Sequence, residues 1–345
     1  MGRGGIAMVM SRMVARCALI SLMAALPQSS HAADPFYKGK TIITLVSTGP
    51  GGSYDLIART VARYLPNYIV GAPSAIVQNM PGGGGKTMAN YLYNIAPKDG
   101  TTIGILNQTV GLDQILSDNS YYNTAKFAWL GRVSTTTTLI MVYKNAPVHS
   151  LEEMKTTQTL FAGQGKSSQT YMIPTLMRTL LGFKTKVVMG YTSAPEIFTA
   201  MERGEVHGRT GDMNALNASH PQWAADGTIQ FLGEFSLADK PSMPDLPLLL
   251  TMAPDAKSRE ILDMVGSFSG FGYPYAAPPG TPGDRLDTLR KALADVVQDP
   301  AFLADMKQQR MTVDPESADY LAKIASKFDA VSPELLDRMQ KALEW

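Results

Sequence analysis

The chain has 345 residues, 31 lysines and arginines against 30 acids, and one cysteine, Cys17. So even a balance gives no electrostatic case for nucleic acid, and a lone cysteine excludes disulfides and cysteine-ligated metal. At this length two lobes are the default, since a single core stops growing before about 300 residues.

Residues 1–32 read as a cleaved export signal. Arg3, Arg12 and Arg16 form a basic start, Cys17 to Leu26 an apolar core, and Ser30-His31-Ala32 a small-residue cleavage site. The apolar run is well short of the roughly 20 residues a spanning helix needs. Cys17 precedes that core rather than following it, which argues against a lipid anchor. Without the signal the balance is 28 basic against 30 acidic residues over a mature chain of 313, expected to be soluble and periplasmic or secreted.

Thr41 to Ser47 reads as a strand that runs into Gly49-Pro50-Gly51-Gly52-Ser53-Tyr54-Asp55. A helix follows to Leu65, with Ser53 as its expected cap and Pro66 as its stop. Ala75 to Gln78 repeats the pattern, leading through Pro81-Gly82-Gly83-Gly84-Gly85 into a helix carrying Met88, Tyr91, Leu92 and Ile95. A turn at Pro97-Lys98-Asp99-Gly100 then enters the strand Thr101 to Leu106. Strands alternating with helices indicate a parallel sheet covered on both faces. A glycine loop before a helix is either an ordinary turn or an anion site, because the first helical N–H groups lack partners and the dipole is positive there. Two such loops side by side favour the anion site.

Trp129 to Val133 and Thr138 to Tyr143 are strand-like, and Ser150-Leu151-Glu152-Glu153 is a capping box. A second βα unit follows: strands at Leu160 to Ala162, Lys186 to Met189, Val206 to Thr210 and Thr228 to Leu232, with helices ending at Leu181 and starting at Ser193. Ser193 with Glu196 signals that second helix start, and Gly204 its end. Ala238 to Pro247 is loop. Beyond Phe268 to Ala276 no sheet-forming strand is expected, only four helices beginning near Pro282, Pro300, Pro315 and Ser332 and packing back on the first lobe.

No catalytic set assembles. Gly85-Lys86-Thr87 ends like a phosphate loop, but the required first glycine falls on Met80. The dinucleotide pattern fails at Tyr54 and at Thr87. G-x-S-x-G is absent, with Phe268 at the nucleophile position of the nearest run, and His149, His207 and His220 show no metal or general-base spacing. No cofactor or metal is expected. Polar loops at second-unit strand ends are better candidates for binding: Gln164 to Gln169 with Ser167 and Ser168, then Tyr191-Thr192-Ser193. Arg209 could grip a carboxylate in bidentate fashion or pair with Asp212.

An ordered set of motifs resembles the periplasmic receptors of the tripartite tricarboxylate transporters, the Bug family. These are Phe36-Tyr37-Lys38-Gly39-Lys40-Thr41-Ile42, Pro50 to Asp55, Gln78-Asn79-Met80-Pro81-Gly82-Gly83-Gly84 and Ala96-Pro97-Lys98-Asp99-Gly100-Thr101-Thr102. Met201-Glu202-Arg203-Gly204-Glu205-Val206, Met243-Pro244-Asp245-Leu246-Pro247 and Ala277-Pro278-Pro279-Gly280-Thr281-Pro282 complete the series. The resemblance spans the mature chain. It implies an α/β, type II periplasmic-binding-protein fold: two lobes, a ligand cleft and two crossing strands, at Thr138 to Tyr143 and Phe268 to Ala276. Lobe 1 is expected at 33–140 plus 269–345 and lobe 2 at 141–268. It also implies a non-enzymatic monomer that hands a small carboxylate to membrane permease subunits. The same fold serving a signalling partner is the alternative, and an exported hydrolase or isomerase a third. By this reading Gly51, Gly52, Ser53, Gly82, Gly83 and Gly84 hold the proximal carboxylate, while Ser167, Ser168, Tyr191 and Arg209 take the distal part. Thr48, Tyr54, Asp55, Pro81, Gln164 and Asp212 complete the candidate set. Ser47-Thr48 stand where many members carry a proline and an aromatic residue, and Gly190-Tyr191 where many carry an aromatic-lysine pair.

Overall fold

The computed structural model describes residues 35–345; the export signal read over residues 1–32 lies outside the described residues. Among them, no helix is long and apolar enough to cross a membrane.

Strand β1 (Thr41–Val46) leads through the first glycine loop into α1 (Ser53–Tyr64), and β2 (Ser74–Asn79) through the second into α2 (Lys86–Asn94). Then come β3 (Thr102–Ile105), α3 (Val110–Leu116) and β4 (Ala128–Arg132). Residues 133–137 carry the chain to a second sheet: β5 (Thr138–Tyr143), α4 (Leu151–Met154), β6 (Thr159–Gly163), α5 (Gln169–Thr179), β7 (Thr185–Met189), α6 (Ala194–Glu202), β8 (Gly208–Gly211), α7 (Met213–Ser219) and β9 (Ile229–Phe235). After α8 (Ala256–Gly266), β10 (Pro274–Ala277) returns to the first sheet. The chain closes with α9 (Gly283–Val296), α10 (Pro300–Gln308), β11 (Glu316–Ser317), α11 (Ala318–Phe328) and α12 (Pro333–Leu343).

The first sheet has the order β11-β4-β10-β3-β1-β2, the second β7-β6-β8-β5-β9. Parallel pairing joins β2, β1 and β3, while β10 runs antiparallel between β3 and β4. In the second sheet β6 is parallel to β7 and β8, and β5 antiparallel to β8 and β9. Helix α1 shows why the first sheet holds together. Its spacing puts Ile57, Val61 and then Leu65 on one face, all essentially buried against Ile42, Val46 and Ile105, each worth about 1.5–3 kcal/mol of transfer free energy.

Several expectations need correction. The expected crossing strand Phe268 to Ala276 is extended only at Pro274–Ala277; Ser267–Gly270 is a 3₁₀ turn. A strand does follow it: β11 is a two-residue edge strand on β4, too short for any sequence periodicity to reveal. Three closing helices pack on the first-sheet side, but α12 lies against α5 of the second. There the Tyr171 hydroxyl donates to the Leu343 carbonyl (3.2 Å) and the Thr179 hydroxyl to that of Ala342 (2.7 Å). The cap of α1 is Gly52, with no side-chain cap, rather than Ser53. The capping box of α6 forms as the sequence predicts: the Ser193 hydroxyl takes the Glu196 N–H, and the Glu196 carboxylate takes that of Ser193.

Candidate functional site

The ends of strands from both sheets face one another, and their loops touch. The Gly49 N–H donates to the Thr192 carbonyl (2.9 Å), joining the loop after β1 to the loop after β7. Thr109, just before α3, donates its hydroxyl to the Ser167 carbonyl (2.5 Å), and Ser167 donates its own to the buried Asp113 carboxylate. Asp113 also accepts from the hydroxyls of Tyr122 and Ser120 (2.5 Å each), and the Lys86 ammonium lies 3.7 Å away.

The second glycine loop makes the closest approach. Gly84 holds φ +75°, and a Cβ there would sit 2.7 Å from the Ser168 backbone nitrogen. Such a φ costs an L side chain roughly 1–2 kcal/mol, so conformation and space both require glycine.

Beneath these contacts lies a cavity of about 30 Å³ lined by Thr48, Ser53, Tyr54, Asn107, Gln108, Gln164, Ser168, Gln169, Ala194, Arg209, Asp212 and Ala215. A smaller one of about 20 Å³ shares Thr48, Asn107 and Gln164 with it and is walled by Ser47, Gly82, Gly84, Gly85, Tyr191 and Thr192. The N-termini of α1, α5 and α6 reach the larger cavity through Ser53, Ser168 with Gln169, and Ala194. Each brings the positive end of a helix dipole.

Arg209 supplies the one guanidinium in the lining. It is 3% exposed, lies over the Phe198 ring at 5.0 Å, and donates Nε to the Thr210 carbonyl (3.2 Å), but Nη1 has no partner among the described residues. The guanidinium also folds back against Gly211, where any Cβ would stand 2.7 Å from Nη2. Burial pulls the Arg209 pKa down to about 10, against the raising effect of Asp212 and Tyr273, so the group is cationic at neutral pH. Of the two roles the sequence allowed, internal pairing is not the one observed: among the described residues no ion pair joins Arg209 to Asp212. Asp212 instead caps α7 by accepting the Ala215 N–H and takes the Tyr273 hydroxyl, at 2.7 Å each. Burial, the largest influence, moves the Asp212 pKa upward, and these hydrogen bonds work against it.

Of the sequence candidates, Thr48, Ser53, Tyr54, Gln164, Ser168, Arg209 and Asp212 line the larger cavity, and Gly82, Gly84 and Tyr191 the smaller. Ser167 is turned to Asp113. Gly51, Gly52, Asp55, Pro81 and Gly83 line neither. Asp55 faces its own loop: it accepts from the Gly51 N–H (2.9 Å), from Asn79 (2.9 Å) and from Arg59 (3.0 Å). The first loop thus carries an internal carboxylate at the backbone N–H that the sequence reading offered to a ligand. Asn107, Gln108, Ala194 and Ala215 were missed, and Gln169 was named only as the end of the candidate loop Gln164 to Gln169. Asn107-Gln108 follow the end of β3, so their signal was position at a strand terminus rather than glycine.

Burial disfavours the Asp55 carboxylate, yet hydrogen bonds from Arg59, Gly51 and Asn79 outweigh it and hold its pKa below 3.8. A depressed carboxyl pKa adds stability that is fully present above 3.8 and lost as pH falls through the lower folded value. Melting temperatures of the wild type and Asp55→Asn should therefore differ at neutral pH and converge in acid. A gap that persists unchanged below the folded value would remove Asp55 from the pH response.

No family model matches the chain. A UPF0065 protein of Bordetella bronchiseptica is 22% identical over 271 residues, spanning 77% of this chain and 76% of the relative. Among solved structures, the periplasmic binding protein BugD aligns with a TM-score of 0.68 at 21% identity over 89% of this chain and 98% of its own. The R. palustris protein Rpa4515, solved with adipate, aligns with a TM-score of 0.66 at 19% identity over 88% and 97%. The fold is that of a periplasmic binding protein, and these likenesses bear out the Bug-family resemblance read from the ordered motifs.

Proposed function

We propose that this chain, a Bug-type periplasmic solute-binding protein, captures a small carboxylate, best a dicarboxylate, between two lobes and delivers it to the permease of a tripartite tricarboxylate-type transporter. The lobes would be residues 33–140 with 269–345, and 141–268. One observation carries the reading: a buried, cationic Arg209 with an unpartnered Nη1 opens on a cavity walled by loops of both sheets. A desolvated cation with no ion-pair partner among the described residues costs folding free energy, and a bound carboxylate supplies that partner bidentately. At the other end Gly82, Gly84, Gly85 and the unpartnered hydroxyls of Ser47 and Thr48 suit a second anionic group. Contacts from both lobes favour closure on the ligand. The adipate in the R. palustris neighbour is a molecule of this chemistry.

The test is a thermal-shift screen of refolded, ligand-stripped protein against mono-, di- and tricarboxylates, amino acids and uncharged solutes. An acid at a hundred times its Kd should add about 2.7 kcal/mol, and dicarboxylates should raise the melting temperature most. Shifts from uncharged solutes alone would overturn the carboxylate reading.

A further inference from the structure

The lining of the larger cavity is one-sided in its hydrogen-bonding sense. Asn107 Oδ1 accepts from the Thr109 N–H (3.2 Å). Gln108 Oε1 accepts from the Thr136 hydroxyl, and Gln169 Oε1 from the Thr138 hydroxyl (2.6 Å). Each amide has its oxygen engaged within the chain, and among the described residues nothing accepts from its nitrogen. Arg209 adds a further unpartnered donor. The acid in the lining, Asp212, already accepts at both oxygens. Only Gln164 is reversed, donating to the Thr192 carbonyl (3.2 Å) and keeping its oxygen available at the far end. A site in which three amide nitrogens and a guanidinium await acceptors fits a group that only accepts, which is an ionised carboxylate.

The two threonines sit in a telling place. Thr136 and Thr138 belong to the hydroxyl-rich run 134–138 that carries the chain from β4 to β5, from one sheet to the other. Gln108 follows β3 of the first sheet, and Gln169 opens α5 on the second. One crossover therefore supplies a hydroxyl to an amide oxygen on both sides of the cavity.

Resting on the proposed carboxylate function, we propose that Gln108 and Gln169 are specificity-determining contacts which donate, beside Arg209, to one ligand carboxylate. Thr136 and Thr138 are the positioning residues that hold both amides nitrogen-inward. Without its threonine hydroxyl an amide is free to flip and present oxygen to the ligand. That repels a carboxylate and accommodates the NH₂ of a carboxamide.

The test uses calorimetric titration of the full mature protein with succinate, glutarate and adipate, each beside its monoamide. The wild type should favour the diacid by at least about tenfold, the scale of a hydrogen bond to a charged group. Thr138→Val, nearly isosteric, should cut that preference about tenfold with little change in melting temperature, and Thr138→Ser should restore it. Gln169→Leu and Gln108→Leu should each weaken the diacid about tenfold or more. A preference unchanged in Thr138→Val would overturn the positioning role even if the melting temperature fell. Diacid binding unchanged in both leucine variants would overturn the contacts while leaving the carboxylate function intact. A wild type that binds none of the diacids, or prefers the monoamides, would overturn that function and the specificity that rests on it.

Discussion

Arg209→Met is expected to abolish high-affinity dicarboxylate binding while leaving the protein as stable as the wild type, or more so. Arg209 is buried with Nη1 unpartnered and its charge unmatched by an ion pair. Folding therefore bears a desolvation cost that a thioether of similar reach does not. Methionine still packs on Phe198, now through sulfur-aromatic contact instead of the present guanidinium at 5.0 Å. Binding bears the opposite consequence. A ligand carboxylate brought into the cavity without its guanidinium is a buried charge missing its partner, a loss of about 2–5 kcal/mol, or thirtyfold to several thousandfold in Kd. A monocarboxylate that engages only the glycine-loop end should lose far less. Parallel melting curves and titrations check both halves. A variant that binds dicarboxylates as tightly as the wild type would show that Arg209 does not touch the ligand. A variant that loses both acids equally, together with stability, would show a structural residue.

Gly84→Ala is expected to be nearly as damaging by an entirely different route. The added methyl meets the Ser168 nitrogen at 2.7 Å and the Ser167 carbonyl carbon at 2.9 Å, both backbone, on a residue already at φ +75°. Backbone has no rotamer with which to yield, so the loop that follows β6 must withdraw. It takes Ser167 from Thr109 and Asp113 and Ser168 from the cavity wall. Affinity should fall by about a hundredfold or more. Gly83→Ala is the matched control: its φ is +58°, so the strain is similar, but its nearest outside atom is the Lys86 Cβ at 3.4 Å. That variant should share the modest loss of stability and bind within a few fold of the wild type. Equal losses of affinity in the two variants would mean that backbone strain, not contact between the loops, governs binding.

Much of this architecture was legible in the residues. The β1 and β2 glycine loops, the capping box of Ser193 and Glu196, and the closing helices at Gly283, Pro300, Ala318 and Pro333 follow from local chemistry, which acts over a few residues and leaves its mark there. What sequence missed was set by distant partners. Nothing near Pro333 says that α12 will lie on α5, a contact with a helix more than 150 residues earlier, and a two-residue strand such as β11 has no period to detect. The site divides along the same line. Arg209 stood out as a basic residue in a strand just ahead of Gly211-Asp212, and its freedom from Asp212 follows from Tyr273 and the Ala215 N–H, which occupy that carboxylate. Asn107 and Gln108 escaped, and Gln169 had no role beyond its loop, because an amide's meaning lies in which end is free, and it is the oxygens of the two glutamines that Thr136 and Thr138 engage. Asp55 is the converse case. It sits in the most recognisable loop, yet folds onto the Gly51 N–H and turns away from the cavity.

The most direct measurement is a calorimetric titration of ligand-stripped wild-type protein with the best dicarboxylate from the thermal screen and with the uncharged diamide of the same length. Saturable binding of the dicarboxylate at one site per chain, with the diamide at least about a hundredfold weaker, is the result an anion site built on Arg209 and the glycine loop requires. Equal affinity for the two would contradict it, because a cavity indifferent to charge has no use for a buried, unpartnered guanidinium.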